Sequence, residues 1–256
     1  FLDIISSFHN KDEIENFVKR HDIDVILNAA AYTAVDKAED DIENAYRINR
    51  DAVANLAEVS KEYHIYLIHI STDYVFSGEN CHPYNTDDPI APISIYGKSK
   101  AAGELAIKES DCNATVIRTS WLYSEYGHNF VKTMLKLGSE KEKISVVCDQ
   151  IGGPTYAGDL AKAVFKAVEV NKDKKGMRLY HFANEGSISW FDFTQAIMEI
   201  AHLGCIVEAI FTSEYPAKAP RPSYSVFNLR KIKQDLSLEI PYWRKSLLLI
   251  INKLTC

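Results

Sequence analysis

Tyr96 and Lys100 form a Tyr-x-x-x-Lys pair within residues 94–109, a stretch with helical periodicity. Side chains four residues apart on a helix lie on the same face. A lysine ammonium at this distance would stabilise a tyrosinate and lower the tyrosine pKa from about 10 toward neutrality. Such a tyrosine could donate a proton to a carbonyl oxygen that is being reduced, and the lysine could hold a cofactor ribose. The pair therefore points to carbonyl reduction.

The spacing of this pair is weak evidence by itself, because a chain with 14 tyrosines yields roughly one such pair by chance. Its context is stronger. An apolar run at residues 65–71 is typical of a buried strand and leads into the segment Ser71–Phe76. Because ligands bind at the carboxyl ends of parallel strands, we expect Thr72 to face the same cleft as Tyr96. The alternative is a Ser/Thr turn at a strand end beside an exposed tyrosine–lysine pair.

The elements that must position these residues alternate between apolar runs of strand length and longer amphipathic stretches. This alternation predicts β-α-β units, and strands that are apolar almost throughout indicate helices on both sheet faces. The expected fold class is α/β, with a Rossmann-like, doubly wound parallel sheet. The expected strands are Val25–Asn28, Ile65–Ser71 and Ala114–Thr119, and the expected helices run from about Ile42 to Tyr63 and from Ser94 to Glu109.

The pattern becomes less regular after about residue 150, which predicts a smaller lobe. We expect a nucleotide-cofactor-binding domain at residues 1–150 and a mainly substrate-binding lobe at residues 151–256, from which some segments return to the core. A helix is expected near Gly158 to Val170, and a capping box from Ser189 to Asp192 would begin another at Trp190. The proline-rich residues 215–222 cannot continue a helix or a central strand and are expected to form an ordered loop.

The first glycine of the chain is Gly78, so no glycine-rich pyrophosphate loop precedes the predicted sheet. Doubly wound folds place such a loop after their first strand, where the backbone approaches the cofactor at a helix N-terminus. We therefore expect the sequence to begin around the third strand of the fold. Either about 40 residues, the minimum size of a β-α-β unit, precede Phe1 in the natural protein, or this copy has lost its nucleotide site.

Composition and charge indicate an ordinary globular protein, with 46% hydrophobic and 25% charged residues among 256. A net charge of -6 provides no basic field for nucleic acid or anionic lipid, and no apolar run reaches the roughly 20 residues that span a bilayer. Neither partner is expected. The five cysteines contain no CxxC pair, which favours a reducing cytoplasm over a disulfide framework. The eight histidines form no metal-ligand cluster, so no metal is expected.

Six motifs occur in order along the chain at the spacing of a known family. They are Asn28–Glu39 (NAAAYTAVDKAE), Ser71–Phe76 (STDYVF), Tyr96–Lys100 (YGKSK), Arg118–Tyr123 (RTSWLY), Asp149–Thr155 (DQIGGPT) and Arg221–Ser225 (RPSYS). With these motifs the chain resembles the dTDP-4-dehydrorhamnose reductases, a sugar-nucleotide branch of the extended short-chain dehydrogenase/reductase family. The resemblance extends from about Leu2 to the C-terminus.

This resemblance implies a hydride transfer from NADPH or NADH to C4 of dTDP-4-dehydro-L-rhamnose, which gives dTDP-L-rhamnose for cell-surface polysaccharide. Tyr96 would be the proton donor and Lys100 its electrostatic partner. Thr72 would hydrogen-bond the 4-keto oxygen of the substrate. Asp73 would touch the sugar, and Trp121 would pack on the hexose or its nucleotide, because an aromatic face suits the apolar C–H surface of a sugar.

The resemblance also implies contacts with the cofactor and with the diphosphate of the substrate. Arg221 would meet the diphosphate, since a guanidinium can bind phosphate through two hydrogen bonds. The residues that would distinguish NADH from NADPH lie in the segment that the sequence lacks, so that choice stays open. The expected cofactor-binding residues are Asp3, Ile4, Ala29, Ala30, Ala31, Tyr32, Thr33, Tyr96 and Lys100.

Simpler interpretations stay open for several of these residues. Arg221 could form a surface salt bridge, and Trp121 could be plain core. Asn49 could orient a group in the site or face solvent from its helix. His69 and His181 are expected to be hydrogen-bonded core or edge residues.

Two other functions stay open for the whole chain. One is a non-catalytic regulatory subunit, because the regulatory subunit of methionine adenosyltransferase is similar to the same family; the intact Thr72, Tyr96 and Lys100 favour an enzyme. The other is a reductase or epimerase of a different nucleotide sugar. An epimerase would need a second acid or base near C3 or C5 of the sugar, and the motifs single out none. A homodimer is compatible with the sequence, which assigns no interface.

Overall fold

The computed structural model describes residues 10–255. Asp3 and Ile4, two of the expected cofactor contacts, lie outside the described residues. Their expected role stays a prediction. Along the first half of the described chain, helices and strands alternate as predicted.

The strands assemble around one parallel sheet. In chain order they are β1 Val25–Asn28, β2 Tyr66–Thr72, β3 Ala114–Thr119, β4 Leu122–Tyr123, β5 Lys143–Val147, β6 Ile151–Gly152, β7 Thr155–Tyr156, β8 Met177–Phe182, β9 Ile188–Ser189 and β10 Ile206–Ile210. Within residues 10–255 the central sheet has the order β1-β2-β3-β8, with every neighbouring pair parallel. The register pairs Asn28 with His69 and Thr72 with Thr119, so the carboxyl ends of the strands meet at one edge.

Helices cover both faces of this sheet, which confirms the predicted Rossmann-like α/β class. In chain order they are α1 Lys11–His21, α2 Val35–Ala38, α3 Ile42–Tyr46, α4 Ala52–Glu62, α5 Ile95–Ser110, α6 Phe130–Glu140, α7 Ala157–Asn171, α8 Trp190–Ile200, α9 Arg230–Leu236 and α10 Trp243–Thr255. Consecutive strand residues alternate between the two cores. Leu67 packs with α1, α4 and α5 on one face, whereas Ile68 packs with α7 and α9 on the other.

Helix α5, which carries Tyr96 and Lys100, begins and ends as local sequence dictates. The Ser94 hydroxyl accepts a hydrogen bond from the Gly97 backbone N–H at 3.1 Å, and Asp111 follows the helix in the left-handed conformation. The expected bounds differ from the observed ones by a single residue at each end.

The region predicted as one helix from Ile42 to Tyr63 is helical from Ile42 to Glu62 and contains one π-helical turn. A π-helical turn at Arg47–Asp51 separates α3 from α4, and Asn49 lies fully buried within it. Helix α5 packs against this turn so closely that a Cβ at Gly103 would overlap the Asn49 carbonyl oxygen. π-Helical turns often accompany functional sites, and this one directs Asn49 inward.

A smaller lobe packs at the carboxyl edge of the sheet. Its parallel pair β5–β10 and helices α6, α8 and α10 enclose a separate hydrophobic core that includes Phe193, Trp243 and Leu247. Strand β5 precedes residue 150, whereas β8 follows it and joins the central sheet. The division at residue 150 stays a prediction, and β8 is a segment that returns to the core.

Two further expectations about the C-terminal half are confirmed, the capping box and the proline-rich loop. Ser189 and Asp192 form a reciprocal capping box before α8. Residues 215–222 contain neither helix nor strand, and the apolar C-terminal run lies in α10. None of the helices within residues 10–255 is long and apolar enough to cross a membrane.

Candidate active site

A cavity of about 370 Å³ opens at the carboxyl edge of the central sheet, where strand ends, α5 and the smaller lobe meet. Small-molecule sites commonly have this size. Larger depressions lie beside α1 and beside β8, and neither contains Tyr96. The residues that line the cavity are Ala29, Ala31, Thr33, Val35, Ile70, Ser71, Thr72, Asp73, Tyr74, Tyr96, Lys100, Thr119, Ser120, Trp121, Leu122 and Trp190.

Thr72 and Tyr96 line the same cavity, as the parallel-strand argument predicts. Thr72 Oγ1 accepts a hydrogen bond from the Tyr74 backbone N–H at 3.2 Å and donates one to Asp73 Oδ1 at 3.1 Å. A Ser/Thr turn is therefore present at the strand end. The Tyr96 and Lys100 side chains are buried, however, so the alternative of an exposed tyrosine–lysine pair is wrong.

The pKa of Tyr96 moves in the direction opposite to the sequence expectation. Burial raises the pKa to about 12; the contact with the Thr72 hydroxyl opposes this rise, and the nearby Asp73 charge adds to it. The lysine does not lower this pKa because Lys100 Nζ is bound elsewhere, 2.7 Å from the Ile70 carbonyl oxygen. Tyr96 is consequently protonated at neutral pH, which is the form that a proton donor needs.

Lys100 and Asp73 are buried groups whose pKa values are shifted toward neutrality by the loss of solvent. Burial lowers the pKa of Lys100 to about 8, and the charge of Glu104 on the next turn of α5 opposes this change. Burial raises the pKa of Asp73 to about 6, against hydrogen bonds from Ser225 and Thr72. Perturbed pKa values of this kind are common where a protein performs proton chemistry.

Asn49 fixes the loop that follows β1 to helix α5. Its side chain accepts a hydrogen bond from the Tyr32 N–H at 2.9 Å, donates to the Tyr32 carbonyl at 3.1 Å and donates to Ser99 Oγ at 3.0 Å. The interpretation of Asn49 as a solvent-facing helix residue is therefore wrong. It is a buried residue that shapes one wall of the site.

The loop after β1 presents small side chains to the cavity. Ala29, Ala31 and Thr33 line it, whereas Ala30 directs its N–H to Asn28 Oδ1 at 3.1 Å and Tyr32 directs its hydroxyl to Asp41. The wall next to Lys100 thus carries small side chains, and backbone groups form part of it. These properties fit the approach of a nicotinamide cofactor and its ribose.

Trp121 lines the cavity and stacks on Trp190, a residue that the sequence analysis missed. The ring centroids are 3.6 Å apart and the rings are inclined by 12°. Trp121 has a φ of 46°, which is unusual for a bulky residue, and the absence of a side chain at Gly152 leaves space for its indole. Only the position of Trp190 after a helix cap was visible in sequence, and that signal carries no functional information.

Arg221 does not line the cavity in this structure. Its guanidinium is half-buried against Asp36, with Nη2 2.6 Å from Oδ2 and Nη1 3.2 Å from Oδ1. A salt bridge is therefore present, and the pairing lowers the pKa of Asp36 below its ordinary range. Its expected contact with a diphosphate stays a prediction.

His69 and His181 are buried and hydrogen-bonded, as expected. No group of three or more histidine, cysteine or carboxylate side chains within the described chain could hold a metal ion. The site is therefore built from hydroxyl, lysine, carboxylate and indole groups on a parallel-sheet frame.

Comparison with known proteins shows to which family the chain belongs. The family model described as "RmlD substrate binding domain" matches residues 5–256. The chain belongs to the RmlD family. The resemblance drawn from the six sequence motifs is thereby confirmed.

Curated relatives of this RmlD family member include two named dTDP-4-dehydrorhamnose reductase. The protein from Aggregatibacter actinomycetemcomitans is 40% identical over 93% of this chain and 84% of its own length. That from Escherichia coli strain K12 is 38% identical over 98% of this chain and 87% of its own length. The spore coat polysaccharide biosynthesis protein SpsK of Bacillus subtilis is 43% identical over 88% of this chain and 77% of its own length.

A solved structure of high similarity is the dTDP-4-dehydrorhamnose reductase of Bacillus anthracis in complex with NADP. It is 40% identical, with a TM-score of 0.93, and the match covers 99% of this chain and 89% of that protein. A dTDP-glucose 4,6-dehydratase from the same organism, in complex with NAD, matches with a TM-score of 0.80 at 21% identity over 96% of this chain and 76% of its own. That second likeness shows a common fold.

Proposed function

We propose that this protein reduces dTDP-4-dehydro-β-L-rhamnose to dTDP-β-L-rhamnose, with NADPH or NADH as hydride donor, in dTDP-rhamnose biosynthesis. The observation that carries the proposal is the meeting of Thr72, Tyr96 and Lys100 in one cavity of an RmlD-family fold. The relatives named dTDP-4-dehydrorhamnose reductase and the NADP complex of the Bacillus anthracis protein support the substrate and the cofactor.

The proposed proton chemistry uses Thr72 and Tyr96. Both side chains line the same cavity, so their hydroxyl groups would bind one ketone oxygen. A bound nicotinamide cofactor supplies the hydride that C4 accepts. As negative charge develops on the ketone oxygen, Tyr96 transfers its proton there, and the C4 carbonyl becomes a secondary alcohol. Lys100, in its charged form, would stabilise the tyrosinate that remains.

The two sides of the cavity divide the binding roles. Ala29, Ala31 and Thr33, on the wall next to Lys100, would contact the cofactor. Ala30 and Tyr32 belong to the same loop and would border the cofactor there. On the opposite wall, Asp73 would bind the sugar and Trp121 would stack on the hexose or its nucleotide. Arg221 would exchange its contact with Asp36 for one with the diphosphate.

We also propose that the enzyme acts in the cytoplasm and forms a homodimer without binding nucleic acid. The regulatory-subunit alternative has no specific observation in its favour. The reductases among the curated relatives, together with the buried Thr72, Tyr96 and Lys100, support catalysis.

The test is oxidation of NADPH and NADH by the protein, supplied with dTDP-4-dehydro-L-rhamnose and followed at the nicotinamide absorbance. Replacing Tyr96 with Phe removes the proton donor and should reduce kcat by about 10²- to 10⁴-fold, the usual contribution of general acid catalysis. Tyr126→Phe is the matched control, because Tyr126 is 80% exposed.

Cofactor binding, measured by nicotinamide fluorescence, should persist in Tyr96→Phe. A wild-type protein that binds cofactor without turnover would contradict the reductase and favour the regulatory subunit or a different sugar. Undiminished turnover in Tyr96→Phe would instead show that Tyr96 is not the proton donor.

A further inference from the structure

Glu39, which directly follows helix α2, binds the first residue of the helix that carries Tyr96. Its Oε1 atom accepts a hydrogen bond from the Ile95 backbone N–H at 2.8 Å, across 56 positions of sequence. The glutamate is half-buried and is not among the residues that line the active-site cavity. The contact therefore joins two distant segments at the edge of the site, and the carboxylate itself does not enter the cavity.

The Ile95 N–H needs a partner from outside its own helix. The first N–H groups of an α-helix have no carbonyl on a preceding turn to bind. Ser94 supplies two contacts at this end: its hydroxyl accepts from the Gly97 N–H at 3.1 Å and its carbonyl accepts from the Lys98 N–H at 2.9 Å. The Glu39 carboxylate accepts from Ile95, and negative charge is favourable at a helix N-terminus. The start of α5 is thus fixed both by its own cap and by a residue from elsewhere in the chain.

Tyr96 is the residue next to this contact. Its Cα lies about 3.8 Å from that of Ile95, because the two are joined by one peptide unit. The Tyr96 ring packs in a small core with Ala38, which is fully buried and directly precedes Glu39. Residues 38 and 39 therefore hold the side chain and the backbone of the proton donor together.

The turn that carries Thr72 meets the same part of α5 from another side. A Cβ at Gly97 would overlap the Tyr74 carbonyl oxygen, so a glycine is needed for this approach. The Tyr74 N–H in turn donates to Thr72 Oγ1 at 3.2 Å, and the Tyr74 ring meets Tyr96 edge-on with centroids 5.4 Å apart. A shift of the first turn of α5 would therefore change the separation of the Thr72 and Tyr96 hydroxyl groups.

The wall that would contact the cofactor leads directly into the segment that holds Glu39. Thr33 and Val35 line the cavity, and α2 begins at Val35. The Ala38 N–H donates to the Ala34 carbonyl at 2.9 Å, which closes this short helix just before Glu39. Glu39 thus sets the first turn of α5 relative to the wall along which the hydride donor would lie.

We propose that Glu39 is a positioning residue that holds Tyr96 in place for proton transfer. The proposal rests on the proposed reductase function, in which Thr72 and Tyr96 bind one ketone oxygen. A misplacement of about 1 Å can lower the rate of a catalysed step about 100-fold. Loss of the contact with Ile95 should therefore slow proton transfer more than it weakens the binding of sugar nucleotide or cofactor.

Three substitutions at Glu39 separate the reach of the side chain from its charge. Glu39→Ala removes the acceptor and should lower kcat about 10- to 100-fold, with both KM values nearly unchanged. Glu39→Gln keeps an acceptor oxygen at the same length and should retain most of the wild-type kcat. Glu39→Asp keeps the charge on a shorter side chain and should lose nearly as much as Glu39→Ala. Glu43→Ala, which removes an exposed glutamate of α3, is the matched control and should leave kcat unchanged.

The order of these variants decides between positioning and other roles. An active Glu39→Asp beside an impaired Glu39→Gln would assign an electrostatic role to the carboxylate and overturn the proposal. A rise in KM with unchanged kcat in Glu39→Ala would overturn it as well. If Glu39→Ala does not fold, as judged by circular dichroism, Glu39→Asp takes its place in each comparison.

A double variant tests whether Glu39 acts through Tyr96. Tyr96→Phe already lacks the proton donor, so adding Glu39→Ala should lower the rate of single-turnover NADPH oxidation by no more than about twofold, because residues that act as a unit are not additive. Independent damage to the fold would instead multiply the two losses. That multiplied loss would overturn the proposal.

The last measurement needs no turnover. In protein labelled with ¹³C-tyrosine, the Tyr96 ring signal, assigned with Tyr96→Phe, should shift in Glu39→Ala and keep its position in Glu39→Gln and Glu43→Ala. An unmoved Tyr96 signal in Glu39→Ala overturns the positioning role, whether or not the wild type reduces the sugar. The expected shift in a protein without turnover would instead contradict only the proposed reductase function.

Discussion

Arg221 and Asp36 connect two distant parts of the chain at the side of the active-site cavity, with Arg221 Nη2 2.6 Å from Asp36 Oδ2. The same carboxylate accepts hydrogen bonds from the backbone N–H groups of Lys218 at 3.1 Å and Ala219 at 2.9 Å. The proline-rich loop is thereby fixed to helix α2. We propose that a substrate phosphate competes with Asp36 for this guanidinium.

Replacing Arg221 with Met should raise the KM for the nucleotide sugar and leave the KM for the cofactor nearly unchanged. A charged hydrogen bond contributes about 1.5–3 kcal/mol, so the expected increase is about 10- to 100-fold. Steady-state kinetics with each substrate varied in turn measures it. Arg244→Met, which removes an arginine paired with Glu199 on the smaller lobe, is the control. Equal KM values in both variants would argue against a diphosphate contact.

Gly152→Ala should displace the Trp121 indole, because the new Cβ would lie 2.6 Å from Trp121 Cε2. Overpacking of this kind costs about 1–3 kcal/mol of unfolding free energy, and the displaced indole should raise the substrate KM several-fold. Gly204→Ala is a matched control, since its Cβ would meet nothing within 4 Å. Urea denaturation and steady-state kinetics of both variants provide the comparison. Equal unfolding free energies and equal substrate KM values would show that the Trp121 indole can move without cost.

Trp190→Ala should weaken substrate binding by releasing Trp121 from its stacked position. An aromatic pair contributes about 0.5–1.5 kcal/mol beyond buried area, which corresponds to a KM increase of about 2- to 10-fold with kcat less affected. Trp190→Phe retains a ring and should recover most of the loss. If Trp190→Phe and Trp190→Ala raise the substrate KM equally, the stacking of Trp190 on Trp121 does not contribute to substrate binding.

Glu104→Gln should destabilise the fold strongly because it leaves Arg118 buried without a counter-ion. The pair is almost entirely buried, with side chains 6% and 4% exposed. Breaking such a pair costs about 3–5 kcal/mol of unfolding free energy. Asp111→Asn is the control, since it breaks a solvent-exposed pair with Lys61 and should have little effect on the free energy of unfolding. Urea denaturation of both variants would detect the difference.

Asp73→Asn should change how stability depends on pH. Burial raises the folded-state pKa of Asp73 to about 6 from 3.8, so the folded protein holds this proton more tightly than the unfolded chain does. The stabilisation by the proton is complete below pH 4 and is lost as the pH rises through 6, a difference of about 3 kcal/mol. The free energy of unfolding of Asp73→Asn should therefore exceed that of the wild type by the most above pH 6 and should differ from it least near pH 4. Denaturant midpoints of both proteins between pH 4 and 8 provide the measurement, and parallel curves would contradict the raised pKa.

Local sequence accounts for much of the frame of the site. Strands β1 and β3 have the predicted bounds, and β2 differs by one residue, because each is an apolar run bounded by polar residues. The Ser94 cap and the four-residue spacing put Tyr96 and Lys100 on one helix face. The rule that ligands gather at the carboxyl ends of parallel strands then brings Thr72 to them. These signals act over short distances along the chain, which is why they can be predicted.

Long-range packing decided the chemistry of the individual groups. The sequence determined that a tyrosine, a lysine and a threonine would share a cleft, and its motifs identified the family. Only the tertiary structure placed His69 against Lys100, Trp190 against Trp121 and Asp36 against Arg221. Burial, with a smaller contribution from the Asp73 charge, then moved the pKa of Tyr96 upward. A side chain's protonation depends on the solvent it loses and the partners it gains, and both are set by residues that are distant in sequence.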